Sequence, residues 1–389
     1  MAGTSVHAVK KRSSNIELLR IIAMLMIVVH HFSVHGPWPS GGGAGAALAV
    51  DFLSFGGKIA CDIFVLITGY FMIKSRFRIR GILRLIFETL LYSLAIFAIF
   101  AIATNGLGAD DVAIDFRRIQ AALLPISSNE YWFVTTFIVM MALIPIQNLV
   151  FAQLSARGRF AVASIGFVVF SAVPTVLLAN SYTSNVVWFC YLYFIGGSIR
   201  YLRDDPALLS NPPAKVPWLN PAYVAVKYPL ATMFLALLVL FGSMVVLNYL
   251  YVKIEFNLIG TTWFIGQNTL PAFFAALGMF CVFSNLSIPY VALINKCGGS
   301  VFGVYLIHDN PIVRNLLWPH FEPVYAMGGV RIIIIGLLCG LAILAVCLFV
   351  DVLRVRFIEI PFMAAIDRKF GSKLDAIDDA FDLKKRICG

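Results

Sequence analysis

The sequence predicts an all-α, polytopic membrane protein, and three observations carry that prediction. Hydrophobic residues make up 60% of the 389 and charged residues only 13%, about half the charged share of a soluble domain. Apolar windows of about 20 residues, enough to cross about 30 Å of hydrocarbon, recur ten times. Lys and Arg crowd into alternate connecting segments. A soluble enzyme, a secreted disulfide scaffold and a disordered chain are excluded by this composition, whose mean hydropathy is +0.88.

The windows fall at 15–36, 52–73, 82–103, 131–150, 161–180, 185–201, 229–250, 262–283, 299–318 and 332–353. The first follows Lys10, Lys11 and Arg12. The small-residue run Ala47 to Ala49 lies too far beyond it to serve as a cleavage site, so the segment is read as a retained span. The second contains Asp62. A loop dense in arginine leads into the third. The fourth opens on Glu130, Tyr131 and Trp132 and closes on Gln147 and Asn148. Three apolar runs follow, and the eighth window opens on Trp263 and holds Gln267 and Asn268. The ninth carries His308, Asp309, Asn310, Arg314 and Asn315 around Pro311, which removes a helix hydrogen bond and can open a kink. With the tenth, the chain divides into a short N-terminal segment (1–14), a membrane domain (15–353) and a basic tail (354–389).

Charge sets the expected orientation. With both termini in the cytoplasm, 23 Lys and Arg fall on inner segments and 4 (Arg117, Arg118, Lys253, Arg331) on outer loops. That asymmetry is the positive-inside signal, and it supports about ten helices with an N-in, C-in topology. The net charge of +10 is therefore assigned to the membrane face and not to nucleic acid. The seven cysteines are scattered and form no C-x-x-C pair, which points to neither a disulfide framework nor a zinc site; no metal is expected.

Ionisable groups at membrane depth are costly and face a bundle interior or a wet cavity. Arg20 and His31 are 11 residues apart, about 20° past three full turns, so they share a helix face. Met24 and Ile27 lie between them, and His35 extends the stripe outward. Glu17, three residues before Arg20, is placed to pair with it. Against a plainer reading as an interface anchor and an outer cap, the shared stripe favours a site. A neutral imidazole takes a proton from a hydroxyl or carries an acyl group. Asp62 should also face inward. Lys74, Arg76, Arg78, Arg80 and Arg84 exceed what orientation needs and suit phosphate, from a ligand or from lipid headgroups. Glu88, one turn on from Arg84, is placed to pair with it. Tyr131 and Trp132 are belt residues or cavity residues. The ninth span should line the same cavity as the first, with Asp309 paired to His31, Arg20 or Arg314.

The residues resemble the integral-membrane acyltransferase 3 family, in its bacterial exopolysaccharide and surface-glycan O-acetyltransferase-like branch. Glu17, Arg20 and His31 match the family's first-span pattern of an acidic residue, an Arg three positions on, then ten residues and a His. Ile63-Phe64-Val65-Leu66-Ile67-Thr68-Gly69-Tyr70 is similar to its second-span pattern, and Tyr131-Trp132-Phe133 running to Pro145 to its fourth. Gly303-Val304-Tyr305-Leu306-Ile307-His308-Asp309-Asn310-Pro311 is similar to a late-span signature. The spacing of Arg76, Arg78, Arg80 and Arg84 departs from the family's Arg-x-x-Arg, so which of them would bind the donor stays open.

The resemblance implies a mechanism. Acyl-CoA, probed first as acetyl-CoA, is a co-substrate and not a bound cofactor. Its phosphates would meet Arg76, Arg78, Arg80 and Arg84, and its pantetheine arm would bring the thioester to His31. The acceptor hydroxyl, on a glycan or lipid-linked sugar, would approach from outside or from the outer leaflet. His31 would act as general base or as a transient acyl carrier, and Arg20 would orient the site or stabilise negative charge. His308, Asp309, Tyr131, Trp132 and Asp62 would support the centre or the acceptor side. The setting implied is a bacterial plasma membrane crossed many times. The alternative is a non-enzymatic glycan transporter or flippase, which shares the buried charges and the kinked helix but has no need of the inner arginines or of the Arg–His stripe. A glycan polymerase would need a longer outer loop than 104–130.

Overall fold

The computed structural model describes residues 13–38, 44–107, 116–179, 183–256 and 258–383, the side chains of 104–107 excepted. Most of the segment 1–14 and the last residues of the tail, including Cys388, lie outside the described residues. Among those described there is no strand. The first half of the chain forms α1 (Ser14–His35), α2 (Ala44–Ser54), α3 (Gly56–Met72), α4 (Ile79–Leu107), α5 (Phe116–Leu123), α6 (Trp132–Ala142), α7 (Ile144–Gln153), α8 (Ala156–Phe167), α9 (Val173–Val176) and α10 (Asn185–Asp204). The second half forms α11 (Ala207–Ser210), α12 (Pro221–Lys227), α13 (Pro229–Ile254), α14 (Leu270–Asn285), α15 (Ala292–Gly298), α16 (Val301–His308), α17 (Pro311–Leu317), α18 (Gly329–Arg354) and α19 (Ile360–Ala380).

Five described helical runs are long and apolar enough to cross a membrane: Ser14–His35, Ile79–Ala103, Ala156–Val176, Pro229–Ile254 and Gly329–Ala380. A sixth crossing results if α6 and α7, bent by 51° at Leu143, count as one broken span. The other expected windows fold as helices too short, too interrupted or too charged to qualify by length and composition. α3 has 17 residues, α14 has 16, and α10 ends on Arg200, Arg203 and Asp204. The ninth window breaks into α16 and α17 at Asp309 and Asn310. Pro311 opens α17, where its missing N–H costs nothing, and the Asn310 side chain caps it by accepting from the Ile312 N–H at 3.0 Å.

Past residue 354 the chain stays helical. It continues as helix through a π-helical turn at Val355–Glu359 into α19, 52 residues from Gly329 to Ala380. Within the bundle α3 is central, packed against α1, α10 and α14. Gly69 and Gly196 let α3 and α10 touch backbone to backbone: a Cβ on Gly69 would strike the Tyr193 backbone, and one on Gly196 the Leu66 carbonyl. Close approach through small residues is how helices associate where lipid removes the hydrophobic drive. Outward faces of α13 and α18 stay apolar and exposed, with Phe234, Leu235, Leu238, Leu338 and Phe349, the surface that lipid would cover.

Candidate functional site

α1 and the broken α16–α17 pair meet at a cluster of imidazoles. His31 is buried, and its Nδ1 lies 2.9 Å from Nε2 of His308. His308 Nδ1 in turn lies 2.6 Å from the Val304 carbonyl. A carbonyl only accepts, so His308 Nδ1 carries the proton and, in the neutral ring, its Nε2 is an acceptor. His31 Nδ1 must then donate, which leaves His31 Nε2 with the free lone pair. This is the arrangement a general base requires: one ring nitrogen held, the other available.

Asp309 supplies negative charge beside this pair. Its Oδ1 lies 3.5 Å from His31 Nδ1, 3.6 Å from His35 Nε2 and 3.6 Å from Arg314. His31, His35 and Asp309 present three ligand atoms within 4.8 Å of one another and could hold a metal ion. A cation there would have to displace Arg314 from the carboxylate and His308 from His31 Nδ1.

The predicted stripe lines one cavity. Arg20, Met24, Ile27 and His31 all face a space of about 170 Å³, together with Lys58, Trp132 and Tyr305. Lys58 sits 4.1 Å from the centre of the Trp132 ring. It places a cation on this cavity wall. Tyr131 does not point to the membrane surface. It is buried, donates to the Leu306 carbonyl at 3.0 Å and accepts from Asn310 Nδ2 at 2.7 Å, bracing the break between α16 and α17. Glu17 is buried against Gly298 of α15, where a Cβ would collide with it. Arg20 and His31 are 11 residues apart, about 16 Å along α1. They line opposite ends of the passage and cannot both touch one acyl carbonyl.

Asp62 stands apart from this cluster. It is fully buried and accepts from Trp188 Nε1 at 3.0 Å and Gln267 Nε2 at 2.9 Å, joining α3 to α10 and the segment before α14.

Three of the four arginines in the 74–84 segment are engaged. Arg76 pairs with Asp379. Arg80 bonds Asp367 at 2.7 Å and Asp375 at 2.8 Å, and Arg84 bonds Glu359 at 2.6 Å. Arg78 is exposed and has no ion pair among the described residues. The expected Glu88–Arg84 pair is replaced. Glu88 bonds Arg354 at 2.8 Å, and Arg354 also binds Asp351 at 2.7 Å and Glu359 at 2.6 Å. The helical i, i+4 rule loses here because a buried arginine with three carboxylate partners offers Glu88 more than an exposed neighbour does. Tyr305 falls on the ninth window, which is expected to line this cavity, whereas no helical stripe or motif marks Lys58 as a cavity residue.

The six described cysteines are free thiols. Compared with protein families, residues 13–351 match a family model described as an acyltransferase domain. No curated protein and no solved structure matches the chain.

Proposed function

The chain belongs to the acyltransferase 3 family, and from that premise we propose that it moves an acyl group, taken as acetyl, from cytoplasmic acyl-CoA to a hydroxyl of an envelope glycan or lipid-linked sugar. It is a multi-pass membrane acyltransferase; the bacterial plasma membrane is its proposed home. In this reading both termini face the cytoplasm, and α3, α10, α14 and the broken α16–α17 pair complete ten crossings.

The observation that carries the reading is the fixed tautomer of His31 at the outer end of a cavity that begins at Arg20. His31 Nε2 takes the proton of the acceptor hydroxyl as its oxygen attacks the thioester carbonyl. The tetrahedral adduct collapses, the C–S bond breaks, and the CoA thiolate leaves with the proton that His31 took up. His308 and Asp309 orient and stabilise the ring through this exchange, as the partner of a base must. Negative charge on the carbonyl oxygen falls to Lys58, the cation on the wall shared with His31. Arg20, a passage length away, meets the donor arm instead.

The test is transfer of label. Full-length protein in proteoliposomes, given radiolabelled acetyl-CoA and extracted envelope glycans, should label a glycan, and His31→Ala should abolish transfer while keeping a normal unfolding profile. No label on any native envelope glycan counts against the acyltransferase chemistry; full activity in His31→Ala defeats the assignment of the base.

A further inference from the structure

A second cavity, of about 360 Å³, opens between α4, α15 and the π-helical turn that follows α18. Arg84, Lys296 and Arg356 line it, with Asn295 and Ser300. Gly299 lines both this cavity and the one that holds His31, so the two adjoin at that residue. Arg20 and Gly298 stand on the His31 side of the junction. Asn295 bonds Ser14, the first residue of α1, at 2.6 Å. His31 lies 17 residues farther along that helix, about 25 Å.

The charge of the two candidate anion sites differs. Arg76 and Arg80 are engaged by carboxylates of α19. Lys296 and Arg356 are exposed on the cavity and have no carboxylate partner among the described residues. Arg84 reaches the same space while bonded to Glu359. A cation already neutralised attracts a phosphate weakly, whereas two unneutralised ones at a cavity mouth attract it strongly.

Resting on the acyl-CoA reading above, we infer that Lys296 and Arg356, assisted by Arg84, hold the phosphates of the donor, while its pantetheine arm passes Gly299 into the His31 cavity. The lining suits such a molecule: cations for the charged nucleotide at the mouth and apolar Val352, Val355 and Ile360 for the adenine, next to the cavity that the uncharged arm would enter at Gly299. A phosphate is also the headgroup chemistry of lipid, so the test must separate the two sources.

Direct binding separates them without any acceptor. Full-length protein in phosphatidylcholine nanodiscs, titrated calorimetrically, should bind CoA. It should bind dephospho-CoA and pantetheine progressively more weakly. Lys296→Ala and Arg356→Ala should each weaken CoA binding roughly tenfold, the loss of one charge-assisted contact, and leave pantetheine binding unchanged. Wild-type protein that binds no CoA overturns the proposed donor and this site with it. Wild-type binding that survives in the double variant overturns the site alone, and so does a loss in Arg78→Ala with none in Lys296→Ala. Weakened association with phosphatidylglycerol, with CoA binding intact, makes the cavity a lipid site and also overturns the inference.

Discussion

His31 has two ring nitrogens, and its neighbours give them different tasks. Nδ1 is committed to His308 at 2.9 Å, which leaves Nε2 as the nitrogen that the proposed mechanism uses. Replacing His31 with Ala should lower kcat by about 10²–10⁴-fold, the usual worth of a positioned base. His308→Ala should lower kcat by about 10²-fold or more with KM for acyl-CoA nearly unchanged, because the donor passage is intact and only the tautomer is lost. Steady-state kinetics with both substrates varied, together with a melting curve, check this. A rise in KM with kcat preserved would make His308 a binding residue. The stripe of Arg20, Met24, Ile27 and His31 was legible in the sequence because helical spacing alone places those side chains on one face. The His31–His308 contact was not legible: the two residues are 277 positions apart, and no local periodicity reports such a meeting.

At the scale of elements, apolar length is readable and interruption only partly so. Pro311 announced a break in the ninth window, and the structure puts it one residue earlier, where Asn310 caps the new helix. The bend at Leu143 has a proline nearby, Pro145, but proline in the first turn of a helix is ordinary and carries little warning by itself. The α3–α10 contact rests on glycine, so Gly69→Val should cost about 1–3 kcal/mol as an overpacked contact. Gly242→Ala, in α13 with open space around it, should leave stability unchanged. Thermal unfolding in detergent compares the pair; equal midpoints would deny that α3 and α10 need their close approach.

Across the whole molecule, charge was the most readable quantity and the most incompletely read. Counting Lys and Arg yields an expected orientation, but it ignores the carboxylates that share the tail. Asp367, Asp375 and Asp379 lie on α19 and bind the arginines that density alone had marked for an anionic donor. These pairs are partly exposed and should be screened as salt shortens the Debye length to about 3 Å at 1 M. Hydrogen exchange should therefore accelerate over 360–380 in high salt while α18 stays protected; equal protection would show that α19 is held by its apolar contacts. Deeper in, Arg354 joins Glu88, Asp351 and Glu359, and Tyr92 donates to Asp351 at 2.8 Å. Arg354→Met would leave buried Glu88 and Asp351 without a cation, while Glu359 keeps Arg84, and should destabilise the fold by about 3–5 kcal/mol, read as a lowered unfolding midpoint.

The meeting of α1 with α16 also sets a schedule for biogenesis. At about 5–20 residues per second of synthesis, the 277 residues between His31 and His308 take about 14–55 seconds to emerge. For that interval the nascent first helix stands in the bilayer with His31 unpaired. His31 acquires its partner only after most of the polypeptide has left the ribosome, so a product truncated before α16 lacks the contact that fixes the tautomer of that ring.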